Sequence, residues 1–222
     1  GSAIDTRRAV VPDDETIGRL SLSMTIQARW NQFVDKCLSC RACELAESRQ
    51  NVVVWRGGIK APLMILGEGP GADEDRLGKP FVGRSGQLLD LLLSSFDLKE
   101  KDYHICNIVK CRPPGNRVPT REEAAECRKL LSEQLRLVRP TVYLLMGGTA
   151  YKYFTGSDEG ITRVRGLWIE TNNCFVMPTF HPAYVLRDPR KKSLLWQDFA
   201  SVRKKLEELS FLPPLRIDAG EI

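Results

Sequence analysis

The sequence lacks the features of a membrane or secreted protein. No stretch approaches the roughly 20 consecutive apolar residues that a membrane-spanning helix needs. No signal peptide opens the chain, and neither an internal repeat nor a low-complexity tract is present. A globular protein of the cytoplasm is therefore expected.

The sequence also lacks the most common catalytic and nucleotide-binding motifs. It contains only two histidines and no His-Glu-x-x-His motif, and it offers no Ser-His-Asp arrangement. The glycine-rich segment 67–71 (Gly-Glu-Gly-Pro-Gly) is not a G-x-G-x-x-G motif and lacks the Gly-Lys-Ser/Thr of a Walker loop. Nucleotide cofactors are therefore disfavoured, and no helix is expected directly after this segment.

Length and composition predict one globular domain. The chain has 222 residues and a mass of 25.1 kDa, with 42% apolar and 27% charged residues, whereas a typical domain has about 150 residues. The formal net charge of +5 permits an anionic partner without requiring one. Residues 1–23 are expected to be an expression tag and a poorly ordered extension, 24–210 the single domain, and 211–222 a tail.

Strand-like and helix-like segments alternate along the chain. Apolar runs predict four strands, at 63–66, 103–109, 141–146 and 175–180. Helical periodicity and a Thr120/Glu123 capping box predict the main helices, at 25–36, 85–96, 121–138 and 193–209. Residues 161–171 are expected to form a hairpin or an irregular segment. The alternation predicts an α/β fold with three α/β/α layers and a central four-stranded, mostly parallel sheet.

Unusual residues follow three of the predicted strands. The glycine-rich segment 67–71 follows the first strand, Asn107 lies near the end of the second, and His181 follows the last. Because ligands bind outside the carboxyl ends of the strands in such folds, we expect these residues to converge at one edge of the sheet. His181, which Pro182 follows, is expected in a stiff loop rather than in a helix.

The cysteines predict a metal centre. There are seven of them, an odd number with uneven spacing, which argues against a disulfide framework. Cys40 and Cys43 form a C-x2-C motif, and Cys111 and Cys127 form a second group farther along the chain. Four thiolates suit a tetrahedral metal or an iron–sulfur cluster. Cys37 offers a competing C-x2-C register with Cys40, and the spacing alone chooses neither the register nor the metal.

Taken together and in order, these motifs resemble those of the family 4 uracil-DNA glycosylases, within the uracil-DNA glycosylase superfamily. The resemblance covers roughly residues 40–209. It rests on the C-x2-C motif and on four later segments, at 67–71, 78–84 (Gly-Lys-Pro-Phe-Val-Gly-Arg), 107–117 (Asn-Ile-Val-Lys-Cys-Arg-Pro-Pro-Gly-Asn-Arg) and 181–182 (His-Pro).

The chain departs from the family pattern in two places. Gly69 stands where the family usually has alanine, and Tyr184 stands where small residues are common. A related branch that attaches covalently to DNA carries a basic, histidine-containing insertion after the second active-site segment. Here Arg117 leads straight to Val118 and Pro119, so turnover is expected instead.

The resemblance implies a [4Fe–4S] cluster whose role is mainly structural, although a redox role stays open. Its ligands, carried over by position, are Cys40, Cys43, Cys111 and Cys127, and Cys37 is then a non-ligand.

The resemblance also implies the activity: a hydrolase of base excision repair that flips uracil out of DNA and hydrolyses its N-glycosidic bond, leaving an abasic site. Phe81 would stack on the base, Asn107 would select uracil, and His181 would stabilise the leaving group. Glu68 is a candidate for orienting water, and Glu74 for a wall against the thymine methyl group. The implied substrate-binding residues are Gly67, Gly69, Glu74, Phe81, Asn107 and His181; the implied DNA contacts are Arg84, Arg112, Arg117, Tyr184, Arg187 and Arg190.

Three alternatives stay open at this point. The first is a non-catalytic DNA-binding module with an iron–sulfur or zinc site. The second is an iron–sulfur electron-transfer protein, and the third is a glycosylase for another deaminated base such as hypoxanthine. The expected partner is uracil-containing DNA, single- or double-stranded, bound by a monomer in a prokaryotic, nucleoid-associated setting with no membrane contact.

Overall fold

A computed structural model describes residues 25–171 and 174–215. The predictions for residues 1–23, and for the part of the tail beyond residue 215, lie outside the described residues.

A six-stranded sheet forms the centre of the fold, with strand order β1-β3-β2-β4-β6-β5. The strands are β1 Arg56–Gly57, β2 Leu63–Gly67, β3 Tyr103–Asn107, β4 Val142–Met146, β5 Ile169–Thr171 and β6 Cys174–Thr179. The four inner strands are parallel, whereas β1 and β5 pair antiparallel at the two edges. Every residue of β2 and β4 is buried, as expected for strands that are covered on both faces.

Helices cover both faces of this sheet. They are α1 Ile26–Leu38, α2 Leu45–Ser48, α3 Ala72–Leu77, α4 Arg84–Ser95, α5 Arg121–Val138, α6 Gly148–Thr155, α7 Ile161–Val164, α8 Pro182–Arg187 and α9 Lys192–Glu208, with 3₁₀ turns at Pro114–Asn116 and Pro189–Lys191. One core cluster joins the sheet to α1, α5 and α6, and a second joins its other face to α4 and α9. The predicted three-layer α/β class is confirmed. No helix in the described part of the chain is long and apolar enough to cross a membrane.

Local sequence signals account for where the long helices begin. The Thr25 hydroxyl accepts a hydrogen bond from the Ala28 amide and caps α1. The capping box predicted for α5 is present, because Thr120 and Glu123 each bond to the other's backbone amide.

The number of strands differs from the prediction, and the segment 161–171 matches its prediction in part. The sheet has six strands instead of four, because β1 and β5 have only two and three residues and are too short to show alternation. The segment 161–171 begins with the helical turn α7 and ends in β5, which forms a hairpin with β6.

Several short helices occur where none was predicted, and α3 and α8 are the two that adjoin the predicted site segments. The segment of α3, Ala-Asp-Glu-Asp-Arg-Leu, carries no apolar periodicity, and its start depends on a cap between Gly71 and Glu74. Pro182 is the first residue of α8, a position where its fixed φ favours a helix. His181 is therefore a helix N-cap and not part of an irregular loop.

Candidate functional site

The predicted convergence of residues at the carboxyl ends of the strands is present in the structure. A cleft of about 690 Å³ opens there, a size typical of ligand sites. It brings together residues from the loops after β2, β3, β4 and β6. The predicted site residues that line it are Glu68, Gly69, Glu74, Phe81, Arg84, Asn107, Arg117, His181, Tyr184 and Arg187; Gly67, Arg112 and Arg190 do not.

Gly67 allows two of the cleft residues to approach each other. Gly67 pairs with Asn107 across the parallel strands β2 and β3. A Cβ atom on Gly67 would lie 2.4 Å from the Asn107 side-chain oxygen and 2.7 Å from Cζ of Phe81. Both distances are shorter than real contacts allow, so any other residue would displace the amide or the ring.

Phe81 is held in an unusual backbone conformation. Its φ is 55°, which side chains adopt only at some cost, and its ring is buried. The Arg56 guanidinium stabilises this turn by donating to the carbonyls of Pro80, at 3.0 Å, and Phe81, at 3.3 Å. A Cβ on Gly86 would lie 1.8 Å from the Phe81 carbonyl oxygen, so the helix α4 can pack against the turn only through glycine.

Asn107 carries an unpaired acceptor. Its side chain is 1% exposed, and its Oδ1 atom is buried without a hydrogen-bond partner in the described part of the chain. A buried acceptor without a donor costs about 1–3 kcal/mol. Because Asn107 lines the cleft, a ligand N–H group can satisfy this oxygen.

His181 is arranged as a neutral hydrogen-bond donor. Its Nδ1 accepts from the Ala183 amide at 3.1 Å, which leaves the ring proton on Nε2. Burial lowers the pKa of His181 to about 4; the charge of Arg187 lowers it too, and Glu74 opposes them. The ring also stacks on Phe81 with centroids 5.7 Å apart. At neutral pH the site therefore presents an uncharged imidazole with its N–H available to a ligand.

Glu74 joins the two loops on one side of the cleft. One carboxylate oxygen accepts from the amides of Val82 and Gly83, each at 2.9 Å, and the other accepts from the Gly71 amide at 3.1 Å. Both oxygens are thus used to hold the glycine-rich segment against the turn that carries Phe81. Its role as a wall against a methyl group stays a prediction.

Glu68 differs from Glu74 in having no partner for its carboxylate. It is half-buried, it lines the cleft, and its side chain makes neither a hydrogen bond nor an ion pair with the described residues. A carboxylate in this state can hold a water molecule.

The predicted DNA contacts divide into two groups. Arg84, Tyr184 and Arg187 lie at the cleft without an intramolecular ion pair among the described residues. The others are engaged locally: Arg117 pairs with Glu123 at 2.7 Å, Arg112 bonds to Asn116, and Arg190 pairs with Asp188.

The exposed apolar residue Val118 also lines the cleft, and sequence reasoning missed it because an isolated valine in a loop carries no pattern.

Five cysteines line a separate cavity on the side of the sheet that α1 and α5 cover. They are Cys37, Cys40, Cys43, Cys111 and Cys127. Burial raises the pKa of Cys37 to about 12 and that of Cys127 to about 11, so these thiols need a positive partner in order to ionise.

Two N–H groups already point at sulfur in this cavity. Arg49 donates to Cys111 Sγ, and the Lys110 amide donates to Cys127 Sγ, both at 3.3 Å. Among the described His, Cys, Asp and Glu side chains, no three lie close enough together to hold a single metal ion. Cys37 lines the same cavity, so its exclusion from the ligand set stays a prediction.

Comparison with known proteins identifies the family. The profile of the uracil DNA glycosylase superfamily matches residues 54–200. The type-4 uracil-DNA glycosylase of Thermotoga maritima is 45% identical over 156 residues, which cover 69% of this chain and 81% of the relative. That of Archaeoglobus fulgidus is 38% identical over 187 residues, 81% of this chain and 92% of the relative.

A more distant relative helps to place the chain within the superfamily. The type-5 uracil-DNA glycosylase of Pyrobaculum aerophilum is 29% identical over 154 residues, which cover 55% of this chain and 68% of the relative. This match is shorter and weaker than those to the type-4 proteins. The chain therefore belongs to the uracil-DNA glycosylase superfamily, among its type-4 members.

Proposed function

We propose that this protein binds DNA, flips a uracil nucleotide into the cleft and hydrolyses its N-glycosidic bond, leaving free uracil and an abasic site. The observation that carries the proposal is the buried, unpaired oxygen of Asn107 beside the stacked rings of Phe81 and His181. A flipped base needs a flat apolar partner and a hydrogen-bonding edge. These three residues supply both.

Asn107 accounts for the choice of base. Its oxygen would accept from N3–H of uracil while its amide group donates to O4. Cytosine has an acceptor at N3 and a donor at the neighbouring position, so it would leave the Asn107 oxygen unpaired and buried. A site discriminates against an analogue much more strongly when binding would leave a buried polar group unpaired than when the analogue differs only in shape.

His181 accounts for the departure of the base. When the glycosidic bond breaks, the sugar gains oxocarbenium character and negative charge collects on the uracil ring. A neutral Nε2–H donor directed at O2 would stabilise this charge through a hydrogen bond. The hydrogen bond from Ala183 to Nδ1 fixes the required tautomer.

Glu68 is proposed to hold the attacking water. Its carboxylate has no partner among the described residues, and a negative charge at this place would also favour the positive sugar of the transition state. Addition of water then gives the abasic sugar, and the proton that water loses balances the charge on the departing uracil.

The rim of the cleft is proposed to hold the DNA. Arg84 and Arg187 would contact phosphates, which fix the position of the backbone but do not read sequence. Val118, in the segment before α5, and Tyr184, in α8, both line the cleft and would fill the gap that the flipped nucleotide leaves. All of these groups come from one chain, so the proposed reaction needs no second copy.

A [4Fe–4S] cluster on Cys40, Cys43, Cys111 and Cys127 is proposed as the resident cofactor. The donor set supports it, because several soft sulfur ligands surround one cavity and N–H donors already point at two of them. When bound, the cluster supplies a covalent cross-link between distant segments. The cysteine ligands would thereby hold the loop after β3, which follows Asn107, against the segment after α1.

The prokaryotic relatives support the cytoplasm, together with its DNA, as the place of action.

The deciding experiment measures the release of uracil from labelled oligonucleotides that contain uracil, cytosine, thymine or hypoxanthine. We expect release from uracil-containing DNA and none from cytosine or thymine. Binding to DNA without release would instead support a non-catalytic module, and faster release of hypoxanthine would support a glycosylase for another base. Asn107→Ala, which removes the amide and leaves the fold intact, should abolish the preference for uracil.

A further inference from the structure

Lys110 is a buried cation that the mechanism so far does not use. Its side chain is 1% exposed, and it lies three residues beyond the end of β3. Among the described residues it forms no ion pair with a carboxylate. A buried ammonium group is costly unless something nearby compensates for its charge, so its surroundings call for explanation.

The ammonium group contacts the residue that is proposed to recognise the base. Nζ of Lys110 donates to the carbonyl oxygen of Asn107 at 2.9 Å, in a hydrogen bond that is itself buried. A hydrogen bond from a charged donor is stronger and more directional than a neutral one. The bond restrains the peptide from which the Asn107 side chain projects.

The backbone of Lys110 contacts the cysteine cavity at the same time. Its amide donates to Cys127 Sγ at 3.3 Å, its carbonyl accepts from Val53 at 2.8 Å, and the next residue is Cys111. Lys110 thus contacts the Cys127 sulfur through its backbone amide and the Asn107 carbonyl through its ammonium group.

Accurate placement of Asn107 matters because little space surrounds its amide. Gly67 leaves no room for even one additional carbon between the strands at this point. A displacement of about 1 Å is enough to disrupt a catalytic or recognition geometry. A restraint on the Asn107 peptide therefore helps to fix the direction of the unpaired side-chain oxygen of Asn107.

We propose that Lys110 is a positioning residue that orients Asn107 for base recognition and links this recognition to the cysteine site. The proposal rests on the proposed function. Lys110 does not touch the base, and its contribution passes through the hydrogen bond to the Asn107 carbonyl. Lys110 lines the cysteine cavity, so thiolate ligands holding a cluster there would compensate for the charge of the buried ammonium group.

The test compares wild-type protein with Lys110→Met, which keeps the length of the side chain but removes the charge and the donor, and with Lys110→Gln, which keeps a donor. The control is Lys101→Met, because Lys101 is an exposed lysine with no ion pair in the described part of the chain. Each protein is titrated with DNA carrying 2′-fluoro-2′-deoxyuridine, which resists hydrolysis, and with the same DNA carrying a tetrahydrofuran abasic analogue. Iron content and the visible spectrum are recorded for each variant.

We expect Lys110→Met to keep its iron and its affinity for the abasic analogue. Its preference for the uracil analogue should fall about tenfold, which is the effect expected from the loss of one charged hydrogen bond. Lys110→Gln should lie between Met and wild type. An unchanged preference in iron-loaded Lys110→Met would overturn the proposal. Loss of iron in both variants would also overturn it, because Lys110 would then belong to the cysteine site itself. If wild-type protein shows no preference for uracil, the proposed function fails instead.

Discussion

At the scale of single residues, the cleft depends on groups kept in states that are unusual for their type. His181 is neutral because burial lowers its pKa to about 4, and its tautomer is set by a backbone amide. Asn107 keeps an acceptor that nothing in the described chain satisfies. The unpaired acceptor costs folding free energy, and a ligand with an N–H group at this place would recover it.

The first prediction concerns His181. We expect His181→Ala to slow uracil release by about 10²–10³-fold, as loss of one donor to a developing oxyanion does elsewhere. Affinity for uncleaved DNA should change little, because the donor acts mainly in the transition state. Single-turnover rates and DNA titrations measure the two effects separately, and a proportional loss in both would contradict the assigned role.

The pH dependence of the reaction follows from the same residue. Because the pKa of His181 is lowered to about 4, the neutral ring persists well below pH 6.5. Protonation of Nδ1 would remove the acceptor for the Ala183 amide. We therefore expect the contribution of His181 to the rate, measured as the wild-type to His181→Ala ratio, to stay constant from pH 8 to about pH 5 and to fall toward pH 4. A fall centred near pH 6.5 would contradict this arrangement.

The second prediction concerns Gly67. A methyl group at this position would overlap both the Asn107 amide and the Phe81 ring. We expect Gly67→Ala to fold but to lose base recognition, with a melting temperature within several degrees of wild type and a rate reduced by about 100-fold or more. Gly160→Ala is the matched control, since its nearest neighbour would be 4.0 Å away. Equal rates for the two variants would exclude the steric explanation.

At the scale of elements, the loop between β3 and α5 is braced at several points. Arg117 holds Glu123 and the Val118 carbonyl, and the Tyr153 hydroxyl donates to the Pro119 carbonyl at 3.1 Å. The effect is to present Val118, which is 57% exposed, at the rim of the cleft on a rigid support. A rigid apolar side chain at this position suits insertion into a base stack.

The third prediction tests this loop. We expect Val118→Ser to slow release from duplex DNA several-fold more than release from single strands, because only the duplex has a gap to fill when the base leaves the stack. Leu167→Ser, which alters an equally exposed apolar residue outside the cleft, should affect neither substrate. Rates on matched single- and double-stranded oligonucleotides provide the comparison, and equal slowing on both would argue against insertion.

At the scale of the whole molecule, two separate sites share one short segment of the chain. The cleft lies at the carboxyl ends of the strands, and the cysteine cavity lies on the side that α1 and α5 cover. Both sites use the segment 107–111, which begins at Asn107, the residue proposed to recognise the base, and ends at Cys111. A substitution that disrupts the cysteine site should therefore also alter the geometry of the cleft.

The fourth prediction concerns the cysteine ligands. We expect Cys40→Ser and Cys111→Ser to lose bound iron and to melt at a lower temperature, because the cross-link between distant segments is lost. Cys37→Ser should keep its iron if the proposed ligand set is correct, and Cys174→Ser, outside the cavity, serves as the control. Iron content, visible absorption and thermal unfolding measure these effects, and loss of iron in Cys37→Ser but not in Cys43→Ser would shift the register to Cys37 and Cys40.

Strong local signals made part of this structure predictable. The buried strands show as apolar runs, and α5 shows as a periodic segment that opens with Thr120 and Glu123. The short helix α3 and the edge strands were not predictable, because α3 carries no apolar period and the edge strands are too short to show one. The helix α8 was missed for a different reason, since a proline can either open a helix or prevent one.

The sequence by itself determined the fold class, the cysteine pattern and the family, because these depend on residue types and spacing along the chain. Only the tertiary structure decided how the site works. Glu74 bonds to backbone amides, Arg117 is held by Glu123, and Lys110 reaches both Asn107 and the cysteine cavity. Such contacts depend on how loops from separate strands fold against one another, and linear spacing carries no information about that.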